Sequence, residues 1–110
     1  MKASGIIIFV FLCFLVTTAF SADKKGQEIF KSNGCTTCHK QHSTSGTFPS
    51  LSKLANTYKG KKEELIRYLK GEAPSIVTPK RSVIMKRQIE KTKAMTDLER
   101  AALAEFILSH

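Results

Sequence analysis

The segment Cys35-Thr36-Thr37-Cys38-His39 constrains the fold of this chain more than any other feature. Two thiols three residues apart, followed at once by an imidazole, have the spacing of covalent haem c attachment. Each cysteine can form a thioether with one haem vinyl group, and a helical turn through the motif brings His39 beneath the iron as an axial ligand. A chain that holds a haem in this way must wrap around it.

Other proteins also use the CxxC spacing, notably thiol oxidoreductases and zinc sites. A thiol oxidoreductase carries it at the start of a helix in a βαβ unit, and this sequence lacks the alternation that would form such strands. A zinc site needs further ligands, but no second cysteine pair follows, and His42 and His110 complete a tetrahedral set poorly. Haem attachment is the stronger interpretation.

The first residues have the pattern of a secretory signal peptide. Lys2 forms a short basic region, the segment from Ile6 to Val16 is apolar throughout, and small residues occupy Ala19 and Ser21. The apolar run is shorter than the roughly 20 residues that a membrane-spanning helix requires. We therefore predict that residues 1–21 are a cleaved signal peptide and that residues 22–110 are the mature domain. A leader that stayed on the chain would instead act as a membrane anchor.

The predicted mature domain is small. A domain of this size buries only about 60 to 65% of the surface of its unfolded chain, so its own core gives marginal stability. A covalently attached, largely apolar macrocycle would add buried surface and tie the chain to itself. A disulfide between Cys35 and Cys38 would close too short a loop to have a comparable effect.

The chain is strongly basic, with a formal net charge of +9 at pH 7. Export from the cytoplasm argues against nucleic acid as a partner, and the lysines do not alternate with aromatic residues in a pattern suited to base stacking. Two interpretations of the charge stay open. It forms a solvated surface that keeps a small protein soluble, or it steers the protein to an acidic partner.

Helical spacing of apolar residues predicts an all-α fold. The expected helices run from Asp23 to Ser32, from Leu51 to near Gly60, from Glu63 to Lys70, and from the capping box at Thr96 to about Ser109. The last of them should bury Ala102, Leu103, Phe106 and Ile107. Loops are expected at 41–50 and 73–82, where proline and small polar residues are frequent. No helix is assigned between residue 82 and the capping box.

The order of these elements resembles that of monohaem class I cytochromes c. The shared pattern comprises Gly26 and Ile29-Phe30 before the CxxCH motif, Phe48-Pro49-x-Leu51 after it, then a methionine, then Met95-Thr96-Asp97-x-Glu99 leading to Leu103-Ala104-x-Phe106-Ile107. The resemblance covers essentially the whole mature segment. It implies a small fold of about four to five short helices wrapped around one covalently attached haem c.

The resemblance also implies roles for individual residues. Gly26 and Phe106 would mark the crossing of the first and last helices, where only a residue without a side chain lets two backbones approach and seat a ring. The carbonyl of Pro49 would accept a hydrogen bond from Nδ1 of His39, which fixes the imidazole. Pro49 could otherwise only shape its loop. The apolar wall around the haem is expected from Phe30, Phe48, Leu51, Leu54, Tyr58, Ile84 and Leu98.

Two methionines compete for the second axial position. Met95 directly precedes the capping box, where an apolar residue usually packs inward. Met85 follows the proline-containing loop, from which the chain can pass over the open face of the haem. We therefore predict Met85 as the ligand and Met95 as part of the core. His42 is too close to His39 in sequence to reach the opposite face, and His110 is terminal.

Two filled axial positions leave little room for a substrate, so we predict a periplasmic one-electron shuttle and not an enzyme. By resemblance, its partners would be redox proteins with acidic docking patches, such as a terminal oxidase or a periplasmic reductase. The candidate steering residues are Lys40, Lys80, Lys86 and Lys93. If neither methionine binds the iron, the alternative is a haem-based ligand sensor or a peroxidase-like protein with an open or displaceable sixth site.

Overall fold

The computed structural model describes residues 21–42, 48–77 and 83–110, and all the regular structure within these ranges is helical. The α-helices are α1 (Ser21–Ser32), α2 (Leu51–Thr57), α3 (Lys62–Leu69), α4 (Val83–Lys93) and α5 (Asp97–Leu108), and a short 3₁₀ turn (Cys35–Thr37) follows α1. The all-α prediction is confirmed. Three of these helices, α1, α3 and α5, begin and end within two residues of the predicted bounds, while α2 begins as predicted and ends about three residues early.

The packing of α1 against α5 is the most extensive contact between helices, and Gly26 makes it possible. A Cβ atom at position 26 would lie 2.2 Å from the carbonyl oxygen of Ala102 and 2.7 Å from Cβ of Phe106. The ring of Phe106 in turn lies 5.3 Å from that of Phe30, centroid to centroid. The predicted crossing at Gly26 and Phe106 is confirmed.

The core forms where α1, α2 and α3 each pack against α5. Tyr58 and Leu103 are the largest side chains that are fully buried. The other buried apolar residues are Ile29, Phe30, Leu51, Ala55, Leu65, Leu69, Ile89, Ala102, Ala104 and Ile107. The predicted burial of Ala102, Leu103 and Ile107 is confirmed, while Phe106 is partly buried against the core.

Helix α5 begins at the predicted capping box. The hydroxyl of Thr96 accepts a hydrogen bond from the backbone N–H of Glu99 at 3.2 Å, and the carboxylate of Glu99 accepts one from the N–H of Thr96 at 3.1 Å. These two contacts satisfy N–H groups that have no partner inside the helix. The local sequence therefore fixes where the last helix starts.

Helix α4 is the main difference from the predicted fold, because the sequence analysis assigns no helix there. Its sequence is rich in lysine and arginine, and only Ile89 and Thr92 are buried, so its apolar stripe is thin. The helix is held by tertiary contacts instead. Its Thr92 hydroxyl donates a 2.6 Å hydrogen bond to the carbonyl of Leu69, the last residue of α3.

The predicted place of Leu98 in the apolar wall is wrong. Leu98 is 83% exposed, in the first turn of α5. It precedes Ala101 and Glu105 by three and seven residues, and these are half-buried and exposed. Leu98 therefore lies on the outward face of α5, because positions three and seven apart share one side of a helix.

Some predictions fall outside the described residues. The signal peptide, apart from Ser21, lies there, as do Lys80, the middle of the first predicted loop and the second half of the other. Cleavage of residues 1–21 stays a prediction. Among the helices of the described part, none combines the length and apolar character needed to cross a membrane.

Candidate functional site

The CxxCH motif follows directly on the end of α1. Gly34 adopts the left-handed conformation, with φ of 74°, which stops α1 and reverses the chain into the 3₁₀ turn. The backbone N–H of His39 donates to the carbonyl of Cys35 at 2.9 Å. The motif therefore forms a tight turn that places the imidazole one helical turn beyond the first thiol.

His39 is buried and its ring is held by the backbone at the entrance to α2. Its Nδ1 lies 2.7 Å from the carbonyl oxygen of Pro49, so the contact implied by the resemblance is present. Ser50 caps α2 by accepting from the N–H of Lys53, which fixes the peptide that presents this carbonyl. Because the carbonyl can only accept, Nδ1 is the donor in this contact, and Nε2 is the ring nitrogen left to bind a metal.

The return of the chain after His39 is also tied to α2. The N–H of Leu51 donates to the carbonyl of Lys40 at 2.8 Å, and the hydroxyl of Ser52 donates to the carbonyl of Gln41 at 2.9 Å. Both contacts join the residues just after the motif to the first turn of α2. The imidazole and the Pro49 carbonyl are thus anchored from both sides.

A cavity opens over this motif and contains its three chemically active side chains, Cys35, Cys38 and His39. It encloses about 1140 Å³ of space, including its opening to solvent. Met85 also lines it, from the first turn of α4. The two thiols, the imidazole and the thioether therefore share one cavity.

The rest of the lining is largely apolar. Five residues of the predicted wall take part: Phe30, Phe48, Leu54, Tyr58 and Ile84. Leu51 is buried in the core and is not among the lining residues, so its predicted contact with a cofactor has no support in the cavity's shape. An apolar lining of this kind excludes water from a bound group.

The other candidate ligands lie elsewhere. Met95 is partly buried against the core and does not line the cavity. His42 is exposed. His110 is exposed at the end of α5, where its Nδ1 lies 2.9 Å from the carbonyl oxygen of Phe106 and its ring contacts the Phe106 ring edge-on at 4.7 Å.

Sequence reasoning missed the contribution of α4 to the cavity. Gln88, Lys91 and Thr92 line it together with Met85. Their spacing from Met85 is three, six and seven residues, which keeps all four on one side of a helix. That spacing was the available signal, but the polar character of three of the four hid it.

The electrostatics of the cavity reflect its apolar character. Burial raises the pKa of the Cys35 thiol, and the nearby Lys91 ammonium only partly opposes this. The Lys91 side chain also reaches the carbonyl of Asn33 at 3.4 Å, and both residues line the cavity. Burial likewise raises the pKa of Tyr58.

These residues fit a haem c. The thiols of Cys35 and Cys38 suit the two vinyl groups, while imidazole and thioether are both donors that haem iron accepts. Tyr58 lines the cavity, and its buried hydroxyl donates to no acceptor among the described residues. Such an orphaned donor is costly in a protein interior unless a bound group, for example a haem propionate, accepts from it.

Comparison with known proteins agrees with this chemistry. Residues 24–110 match the family described as Cytochrome c, which is essentially the whole segment after the predicted leader. No curated protein matches the chain. Family members bind haem c covalently, function in electron transfer, and in bacteria are typically located outside the cytoplasm. From the motif, the cavity and this match, the chain belongs to the cytochrome c family and carries one covalently attached haem c at Cys35 and Cys38.

Proposed function

We propose that this protein is a periplasmic one-electron carrier in which His39 and Met85 bind the haem iron. The observation that supports this most strongly is that α4 brings Met85 to the cavity of the CxxCH motif. When bound, haem c supplies an iron that accepts and releases a single electron. The chain supplies the attachment, the two axial donors and the apolar surroundings.

The donors of the proposed site favour the ferrous state. The thioether of Met85 is neutral. An imidazole that keeps its Nδ1 proton in the hydrogen bond to the Pro49 carbonyl and binds the metal through Nε2 is neutral as well. Methionine opposite histidine raises the reduction potential of haem iron. Phe30, Phe48 and Leu54 add apolar surface that disfavours the extra positive charge of the ferric form.

The sixth ligand can be tested with two matched variants, Met85→Ala and Met95→Ala. Both remove a partly buried thioether, but only Met85 lines the cavity. We expect the ferric Met85→Ala protein to lose the methionine-to-iron charge-transfer band and its reduced form to bind carbon monoxide at once. Met95→Ala should retain the band and bind carbon monoxide as slowly as the wild type.

The opposite results would contradict the proposal. Immediate carbon monoxide binding by the unmodified reduced protein would indicate an open sixth site and a ligand-binding or peroxidase-like role. Loss of the band in Met95→Ala alone would assign the ligand to Met95.

The partner is proposed to be a redox protein with an acidic patch that docks near the first turn of α4. Val83 and Ile84 are 72% and 57% exposed there, and Ile84 also lines the cavity. Lys86 and Arg87 follow Met85 and are exposed. A small apolar contact bordered by basic residues suits rapid, transient docking, in which charge accelerates encounter more than it increases affinity.

This docking surface predicts a salt-dependent reaction. Electron transfer to an acidic redox protein should slow as ionic strength rises, because salt screens exposed charges over about 10 Å at 0.1 M. Lys86→Gln should lower the second-order rate at low salt, whereas Lys59→Gln, at another exposed lysine, between α2 and α3, should not. Equal effects of the two substitutions would mean that only net charge matters.

A further inference from the structure

A buried arginine on α5 holds the end of α4. Arg100 is 6% exposed, and its Nη1 donates to the carbonyls of Thr92 and Lys93, each at 3.0 Å, and also to that of Met95. The first two carbonyls belong to the last turn of α4, where a helix has no internal donors left. The guanidinium satisfies them, and its charge complements the negative end of the helix dipole.

The same end of α4 is fixed by two further contacts. Nη2 of Arg100 pairs with the carboxylate of Asp97 at 2.6 Å, which sets the direction of the guanidinium. The buried hydroxyl of Thr92 donates to the carbonyl of Leu69 at 2.6 Å and so ties α4 to α3. Rotation and sliding of α4 are therefore restricted at its C-terminal end.

Met85 lies at the opposite end of this helix. It precedes Thr92 by seven residues, which places the two side chains on the same face and about 10 Å apart along the axis. The turn that contains Met85 has little cover of its own, because Val83 and Ile84 are largely exposed. The orientation of Met85 thus depends on contacts made two turns away.

We propose that Arg100 is a positioning residue for Met85: by capping α4 it keeps the methionine sulfur in the cavity. The inference rests on the proposed function, because Met85 must bind the iron for its position to matter. Nothing in the sequence pattern of α5 marks Arg100 for this role, since a charged residue in a helix usually faces solvent.

The test uses the full holoprotein with Arg100→Met and Arg100→Lys. The methionine side chain fills similar space but donates no hydrogen bond, whereas lysine keeps the charge with a less extended set of donors. The readouts are amide hydrogen exchange across α4 and the rate at which carbon monoxide replaces the sixth ligand in the reduced protein. Neither depends on a redox partner.

We expect Arg100→Met to open α4 at least 10- to 100-fold more often, because losing even one of its charge-assisted hydrogen bonds has about that effect. Carbon monoxide binding should accelerate by the same factor, because the ligand must leave first. Arg100→Lys should lie between Arg100→Met and the wild type in both measurements.

Ala102→Gly is the matched control. Ala102 is buried on α5 against Gly26, so the substitution destabilises the α1–α5 pair without touching α4. The two variants are compared under conditions in which their free energies of unfolding are equal. The inference is overturned if Arg100→Met then changes α4 exchange and carbon monoxide binding no more than Ala102→Gly does. Should Arg100→Met fail to fold, wild-type behaviour of Arg100→Lys in both measurements would overturn the inference equally.

If the proposed function is wrong, carbon monoxide binding gives a different result from the one that overturns the role of Arg100. In that case the wild-type protein itself binds carbon monoxide at once, before any substitution is made. Exchange across α4 then still tests whether Arg100 caps this helix, and unchanged exchange in Arg100→Met would refute that step independently.

Discussion

Replacement of Gly26 by alanine should separate the two helices that form the main contact of the fold. The added Cβ would lie 2.2 Å from the Ala102 carbonyl oxygen and 2.7 Å from Cβ of Phe106. Neither atom can move away alone, because one is backbone and the other is fixed to it. The helices must therefore shift, and Phe106 must lose part of its contact with Phe30.

The magnitude follows from two opposing terms. Overpacking of a well-packed core costs up to about 3 kcal/mol, and replacing a helical glycine by alanine returns about 1 kcal/mol of helix propensity. We expect a net loss near 2 kcal/mol in the free energy of unfolding. For a domain of this size that corresponds to a fall in melting temperature of roughly 8 to 16 °C.

The assay is thermal and guanidinium unfolding of the holoprotein, followed by far-UV circular dichroism. Gln27→Ala, at an exposed position of the same helix, is the control and should change the free energy of unfolding by less than about 0.5 kcal/mol. A Gly26→Ala protein as stable as the wild type, or more stable, would refute the close approach of α1 and α5.

Two further predictions concern the start of α5. Thr96→Ala should cost about 1 kcal/mol of stability in chemical unfolding, because the capping box loses one of its two hydrogen bonds; an unchanged midpoint would contradict this. The Arg100 hydrogen bond lowers the pKa of Asp97 below 3.8, and hydrogen bonds from Thr96 lower the pKa of Glu99 below 4.5. Since both groups are charged more readily in the folded state, their contribution to stability is complete above pH 4.5 and is lost as the pH falls through the lowered values. Urea unfolding between pH 2 and 6 should show a shallower acid loss in Asp97→Asn than in the wild type, and an unaltered slope would count against this pairing.

Much of the fold was predictable because its signals are local. The capping box at Thr96 and the glycine that ends α1 act within a few residues of themselves. The motif of Cys35, Cys38 and His39 is equally local and gave the site and the cofactor. The contact between Gly26 and Phe106 is long-range, and it was reached through the family resemblance together with the special shape of glycine.

The features that sequence reasoning missed depend on tertiary structure. Helix α4 has only a thin apolar stripe. It is stabilised by the hydrogen bonds from Thr92 to the Leu69 carbonyl and from Arg100 to the carbonyls of its last turn. Arginine is usually found at the protein surface, and Arg100 is buried because those carbonyls accept its hydrogen bonds. The prediction for Leu98 was wrong for the converse reason. The residue is apolar, but it lies in the first turn of α5, where it is 83% exposed.

The residues of the site therefore differ in how well a sequence can predict them: some belong to a local motif, and Met85 depends on tertiary packing. Cys35, Cys38, His39 and Pro49 are brought together by the turn and the short loop that follows it, within a stretch of sequence that a motif can define. Met85 lies 36 residues after Pro49 and reaches the same cavity from α4, so its role depends on how α4 packs. Its assignment as a ligand stays a prediction for the spectra to decide.

The most direct test of the account is the intact mass of the protein purified from a host that exports it and matures cytochromes c. We predict a red protein whose mass equals that of residues 22–110 plus one haem, with both thiols of Cys35 and Cys38 unreactive toward alkylation. A colourless protein with two free thiols would contradict covalent haem attachment, on which every proposal about the iron site depends.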